Sequence, residues 1–326
     1  MKKNFFKTYE FLLICMVVGV FLAVGLVNNA FWSVGTIFDA IRIQEVFLVL
    51  GLGLLPIVIL GGVDISYVAL AAFTSYPVHL ILSLTPYKGG IWLYYLIAAL
   101  IGLVFGLGEG YIIDKFKLSI FDTSLAVNTM LYGLLTFATG GFVRYDMDST
   151  GLSGWNMNFV YEVDSVVGTS GVHVSMVWIV VMAILLHLFL EYTTLGRGIY
   201  AIGSDKSVAI RTGFNLRRIY MAVFAIMGLF SGIGGATFSG LARSFSPIML
   251  MGKNMIVLSA VVLGGASTTG GRGSVLGVIL GTVLIGFINQ SLVYIGVPTI
   301  WYDAVIGTMF MVYAAFQTGT SKAREN

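Results

Sequence analysis

Few side chains in this sequence could do chemistry. Asp64 lies within "GGVDIS" (61–66), an acid just after a greasy run. Placed at membrane depth, such a carboxylate is a candidate for ion or proton handling. After two glycines it, or Ser66, is equally suited to cap the next helix. Glu109 and Asp122 are further isolated acids. His187 and Glu191 stand four apart, hence on one helix face; a zinc or proton-relay site would need further ligands, and the pair reads as solvated. His79 and His173 stand alone and carry no assignment. "GGASTTGGRGS" (264–274) has five glycines and no bulky residue, so it cannot hold a stable helix. A nucleotide loop places Lys and then Ser or Thr after its last glycine, whereas here Arg272 precedes Gly273. The chain therefore shows no ATPase motif, nucleophile or metal constellation of its own.

The elements that must position these residues are apolar. Charged residues make up 10% and hydrophobic ones 58% of the 326 residues, against about 25% and 45–50% in soluble domains; the mean hydropathy is +0.94. Uncharged runs fall at 11–38, 46–63, 65–87, 89–108, 123–143, 165–190, 219–242, 254–271, 273–302 and 304–321, each able to hold one helix. The expectation is an all-α polytopic membrane protein, a single transmembrane domain over 1–326 with about ten spans. Met1-Lys2-Lys3 before the first run resembles a signal peptide, but Asn28-Asn29-Ala30 is a poor cleavage site, and the run reads as an uncleaved span. One cysteine, Cys15, allows no disulfide within the chain. The periodic glycines 102/106/110, 228/232 and 277/281 read as helix packing.

Charge placement gives orientation. "LGRGIYAIGSDKSVAIRTGFNLRR" (195–218) holds Arg197, Lys206, Arg211, Arg217 and Arg218 against one acid, Asp205. Five cations at mid-membrane would cost roughly 12–18 kcal/mol, so the stretch lies outside the bilayer. With ten spans and both termini cytosolic, 13 of the 18 Lys and Arg residues face inside, including Lys2, Lys3, Lys7, Lys115, Lys117, Arg272, Lys322 and Arg324. Arg42, Lys88, Arg144, Arg243 and Lys253 remain outside. Residues 191–218 are then a cytosolic loop, and the acidic stretch 142–173, with Asp146, Asp148, Glu162 and Asp164, an external one. Within the basic loop, Ser204 suits an N-cap, Asp205 a first turn and Gly213 a stop, bracketing about two turns of helix. So short a helix needs something to pack on: a cytosolic partner or anionic membrane lipid. The cations are scattered over short loops, which gives no basis for nucleic-acid binding.

Taken in order, "GGVDIS", "LGRGIYAIGSDKSVAIRTGFNLRR" and "SAVVLGGASTTGGRGSVLGVILGTVLIGFINQSL" (259–292) resemble the ribose-type sugar permeases of bacterial ABC importers, with spacing in register from about residue 45 to 317. The resemblance implies a multi-pass permease of the bacterial inner membrane, paired with a second copy or a paralogue. Two cytosolic ABC ATPase subunits would use the ATP, leaving no cofactor in this chain, and an external solute-binding protein would deliver a sugar or similar polar solute. It implies an ATPase-coupling role for the loop residues Ser204, Asp205, Lys206, Arg211, Gly213, Arg217 and Arg218. It also suggests that Asp64, Ser66, Glu109, Asn254, Gly264, Gly265, Gly270 and Gly271 line the path or fix the dimer. The chain departs from the pattern at Val68, Asn254, Ile256, Glu109-Gly110 and "SIFDTSL" (119–125), so ribose itself does not follow; a nucleoside or polyol stays open. The rivals are an ion-coupled secondary transporter using Asp64 and Glu109, and an intramembrane enzyme using His187, Glu191 or Asp64.

Overall fold

A computed structural model describes residues 9–84, 91–145, 155, 158–165, 168–248 and 250–311. Expectations resting on Lys2, Lys3, Lys7, Lys88, Asp146, Asp148, Lys322, Arg324 and the Asp164 side chain lie outside those residues. The elements in order are α1 (Tyr9–Val27), α2 (Val34–Ile43), α3 (Glu45–Ile59), α4 (Ser66–Ser83), α5 (Trp92–Phe116), α6 (Ile120–Thr139), β1 (Phe159–Ser165), β2 (Gly168–His173), α7 (Val174–Tyr192), α8 (Thr194–Ser204), α9 (Lys206–Arg211), α10 (Leu216–Ala242), α11 (Asn254–Leu263) and α12 (Val275–Ile295). Residues 302–311 are helical again.

The all-α polytopic class holds. Among the described residues five helices, α5, α6, α7, α10 and α12, are long and apolar enough to cross a bilayer, and α2 with α3, bent by 51°, would make a sixth if the pair is one broken span. Three shorter apolar helices accompany them: most of α1, most of α4, and α11. At 10 residues α11 spans about 15 Å, half of a hydrocarbon core. The length criterion therefore establishes five or six of the roughly ten spans expected, because several uncharged runs are broken. Run 11–38 breaks at a 3-10 turn (Asn29–Trp32), after which the Ser33 hydroxyl caps α2 by accepting from Thr36 N. Run 254–271 is helical only to Leu263. Run 165–190 starts as a strand: β1 and β2 pair antiparallel, Phe159 opposite His173, and α7 begins only at Val174.

The core is built around α3, in which every residue but Phe47 is buried. A helix apolar on all sides suits a protein core or a membrane span, and α3 is enclosed among α10, α11 and α12. The closest pairing joins α5 to α10. A Cβ on Gly102 would meet the Gly228 carbonyl oxygen, and one on Gly228 would meet that of Gly102. Gly232 lies in the same way against the Ala98 carbonyl, Gly277 against Gly264 and Gly281 against Ala260. These small residues let backbones touch where lipid supplies no hydrophobic drive. Exposed Leu100, Val104, Ile184 and Leu185 give α5 and α7 a lipid-compatible outer face.

Candidate functional site: a glycine junction beneath the basic loop

The basic loop folds into two helices. Thr193 starts α8: its hydroxyl donates to the Phe189 carbonyl at 2.6 Å and accepts from Gly196 N at 3.0 Å. Ile199 and Ile202 bury one face. The Ser204 hydroxyl donates to the Tyr200 carbonyl at 2.9 Å and so belongs to the end of α8. The cap expected at Ser204 falls one residue later. Asp205 is extended, and its Oδ1 accepts from Ser207 N at 2.8 Å, Val208 N at 3.0 Å and the Ser207 hydroxyl at 2.7 Å. A carboxylate accepts two amides where a hydroxyl ending a helix would turn back on it. Gly213, at φ +89°, stops the turn as expected. On α9, Val208 and Ile210 are 47% and 52% exposed. Arg211 folds back onto the Ser207 carbonyl and hydroxyl, and Lys206 lies over the Tyr220 ring at 5.9 Å.

The Ser207 hydroxyl, then the Val208 and Ser207 amides, hold the Asp205 carboxyl below its usual range. A depressed carboxylate stabilises its helix above its unfolded pKa and loses that contribution as pH falls through the folded value. The cap on α9 is accordingly insensitive to pH between 5 and 8. Asp205→Ala should raise hydrogen exchange at the Ser207 and Val208 amides, whereas Asp205→Asn should largely preserve their protection.

The last turn of α8 meets both glycine-rich breaks. Gly271 N donates to the Ile59 carbonyl at 2.8 Å, tying the 264–274 stretch to the end of α3. Gly203 fills the remaining space: a Cβ there would strike the Ile59 carbonyl oxygen and Gly271 N, leaving room only for hydrogen. Gly270, at φ +91°, lies against Gly203 on one side and Gly61 on the other. The Tyr200 hydroxyl donates to the Gly273 carbonyl at 2.9 Å. Three sequence stretches, 61–66, 195–218 and 264–274, thus converge on one point. Gly264 stands apart from it, against Gly277 of α12, and Gly265 turns the chain out of α11 at φ +90°.

Directly after Gly61 and Gly62 the chain enters a buried polar cluster. Asp64 Oδ1 accepts from Ser66 N at 2.5 Å, so the acid does serve the start of α4. The Ser66 hydroxyl instead donates to Glu109 Oε2 on α5 at 3.0 Å. Ile65 N donates to the Ser124 hydroxyl at 3.2 Å, and Asn254 Nδ2 donates to the Ile65 carbonyl at 2.6 Å. The Tyr67 hydroxyl donates to the Asn254 carbonyl at 2.7 Å. Four expected site residues, Asp64, Ser66, Glu109 and Asn254, therefore share one site assembled from α4, α5 and α11, with Tyr67 and Ser124 added. Asp64, Ser66 and Glu109 are buried, and Asp64 Oδ2, Glu109 Oε1 and Asn254 Oδ1 have no hydrogen-bond partner. Gly61 is exposed, but at Gly62, Asp64 and Ile65 the irregular backbone is covered by protein, the condition under which a broken helix is tolerated in a membrane.

Asp122, His187 and Glu191 are exposed and join neither assembly. Among the described residues no group of three His, Cys, Asp or Glu side chains could hold a metal. His173, given no role from sequence, is fully buried where β2 meets α7. Its Nε2 lies 2.7 Å from the Trp155 carbonyl and its Nδ1 2.5 Å from the Ser175 hydroxyl, which donates to Glu45 at the α2–α3 bend. The residues are too far apart in the chain for spacing to reveal this chain of bonds.

A family described as branched-chain amino acid transport system / permease component matches residues 36–314. The chain is 28% identical over 296 residues to a ribose import permease protein of Haemophilus influenzae, covering 89% of this chain and 87% of that protein. It is 27% identical over 271 residues to a fructose import permease protein of Bifidobacterium longum, covering 81% and 76%. It is also 27% identical over 287 residues to a galactose/methyl galactoside import permease protein of Haemophilus influenzae, covering 84% of each. No solved structure matches the chain. With its membrane-compatible helices held by small residues, and with this match over most of its length, the chain belongs to the branched-chain amino acid transport system permease-component family of inner-membrane transport subunits.

Proposed function

We propose that this chain is the membrane-spanning permease of an ABC importer for a simple sugar or similar small polar solute, delivered by an external binding protein and driven by separate ATPase subunits. The observation that carries the reading is the glycine junction. A cytosolic ATPase would seat α9 through exposed Val208 and Ile210, apolar side chains on a loop otherwise rich in cations. Lys206 and Arg211 would orient acidic ATPase surfaces, with Asp205 and Gly213 fixing the helix ends. Motion of α9 reaches α8, and through Gly203 it bears on Ile59, Gly61 and Gly271. Those residues end α3, begin the approach to α4 and join α11 to α12, so one displacement acts on both broken helices. The Asp64–Ser66–Glu109–Asn254 cluster lies on the near side of that break, where rearranging α4 against α5 and α11 would open or close a path between two permease copies. Binding at such a path need only be weak, because the external partner selects the solute.

The sugar assignment draws on the printed names of the relatives. Its test is uptake by vesicles containing the permease, its ATPase and its binding protein, supplied in turn with ribose, galactose, fructose and leucine. ATP-dependent accumulation of a sugar supports the reading. Accumulation of leucine alone would refute the solute class. Uptake that persists without ATP and collapses with the proton gradient would instead favour ion coupling through Asp64 and Glu109.

A further inference from the structure

An open groove of about 730 Å³ separates the first turn of α8 from the foot of α10, lined by Thr194, Leu195, Asn215, Arg217, Arg218 and Met221. It is distinct from the tip of α9. Arg217 and Arg218 are both exposed beside it. The Arg217 guanidinium stands 5.8 Å from the Tyr111 ring and 4.0 Å from Asp114 on α5. Asp114 is already engaged by Lys117 at 2.8 Å. Lys115 stands beside Tyr111 and Phe116 at the same corner. The other wall is apolar, from Leu195 and Met221. The corner also marks where apolar spans end: α5 finishes at Phe116 and α7 at Tyr192, while α10 begins at Leu216. Leu188 and Tyr192 near the end of α7, and Ile112 and Phe116 near the end of α5, are exposed apolar side chains.

We propose that this groove seats the headgroup phosphate of an anionic phospholipid from the leaflet on the basic-loop side. Two guanidiniums offer forked donors that match phosphate oxygens. Leu195 and Met221 give the glycerol and upper acyl chain an apolar wall continuous with the lipid-facing helices. An acidic protein surface would match the cations but not that wall, nor a position at the ends of membrane spans. Basic pockets at this depth are where anionic headgroups are held. The lipid would brace α8 against α10 at the end of α8 away from the glycine junction, making coupling dependent on membrane composition.

The complete complex in phosphatidylcholine nanodiscs should gain thermal stability saturably as phosphatidylglycerol is titrated in, and inorganic phosphate should not reproduce the effect. Absence of a saturable gain would overturn the proposal, as would an equal effect of inorganic phosphate. Native mass spectrometry of Arg217→Gln with Arg218→Gln should show phosphatidylglycerol affinity reduced about 30-fold. Unchanged retention of phosphatidylglycerol, or loss of the ATPase with the lipid still bound, would show that the groove serves a protein partner. Lys206→Glu with Arg211→Glu separates the two readings: it should release the ATPase and keep the lipid.

Discussion

Gly203→Leu should reduce ATP-driven uptake by about a hundredfold or more while the chain still reaches the membrane and binds its ATPase. The atoms that a Cβ at this position would strike are main-chain atoms of two other elements, the Ile59 carbonyl and Gly271 N. A flexible side chain can swing aside; a backbone carbonyl already holding the Gly271 amide at 2.8 Å cannot. Overpacking of this kind costs about 1–3 kcal/mol, occasionally more, and 3 kcal/mol corresponds to about a hundredfold in an equilibrium. The strain falls on the contact through which α8 would move the breaks after α3 and α11. Val208 and Ile210 lie on α9, beyond the clash, so docking should survive. Gly108→Ala provides the contrast: a Cβ there meets nothing within 4 Å, and uptake should be unchanged. Uptake measured beside ATPase co-purification separates the outcomes. Normal uptake by Gly203→Leu would remove the junction from the mechanism.

The second large effect lies in the buried polar cluster. Ser66→Ala removes the hydroxyl that donates to Glu109 Oε2 and leaves a carboxyl, 4% exposed, without that donor. An unsatisfied buried polar group costs about 1–3 kcal/mol, more when charged. Glu109→Met alone removes the acceptor and leaves a smaller defect, a lone hydroxyl. The double variant Ser66→Ala with Glu109→Met takes away both partners, and its loss of thermal stability in detergent should be smaller than the sum of the two single losses by about 1 kcal/mol or more. Additive losses would mean that the bond between α4 and α5 contributes nothing. Uptake should fall in all three variants, since each alters the start of α4.

Much of this was legible in the sequence where glycine and charge do the writing. The breaks at 61–66 and 264–274 follow from residues that cannot sustain a helix, and the helix-packing role of Gly102, Gly228, Gly277 and Gly281 follows from their spacing. The short helix before Gly213 was visible too, although its cap is Asp205 rather than Ser204, because two acceptors favour the carboxylate over a hydroxyl that can reach its own helix. Helix α8 was missed: three glycines in Thr194–Ser204 mask a 195/199/202 apolar spacing that was there to be read. Of the β1–β2 hairpin, β1 fell in the stretch read as an external loop and β2 in the run 165–190 taken as one span. Uncharged length alone cannot separate a strand with a helix from a single helix, which is also why ten runs yield five or six full-length spans. The meeting of Ile59, Gly203 and Gly271, and of Asp64 with Glu109 and Asn254, was not legible. The partners are separated by some tens to more than two hundred residues, and single-sequence periodicity reports only local faces. His173 is the sharpest case: isolated in sequence, it is fully buried and bonded in the fold.

The account stands on α9 facing the cytosol and carrying a nucleotide-hydrolysing partner. Cys15 is exposed on α1, so the measurement requires Cys15→Ser as background, with Val208→Cys added on α9. In oriented membrane vesicles, a membrane-impermeant maleimide should modify that cysteine only from the cytosolic side. A short bifunctional reagent should join it to the ATPase subunit, and the assembled partner should protect it from the maleimide. Modification from the external side, or free access that bound ATPase does not reduce, would contradict the account.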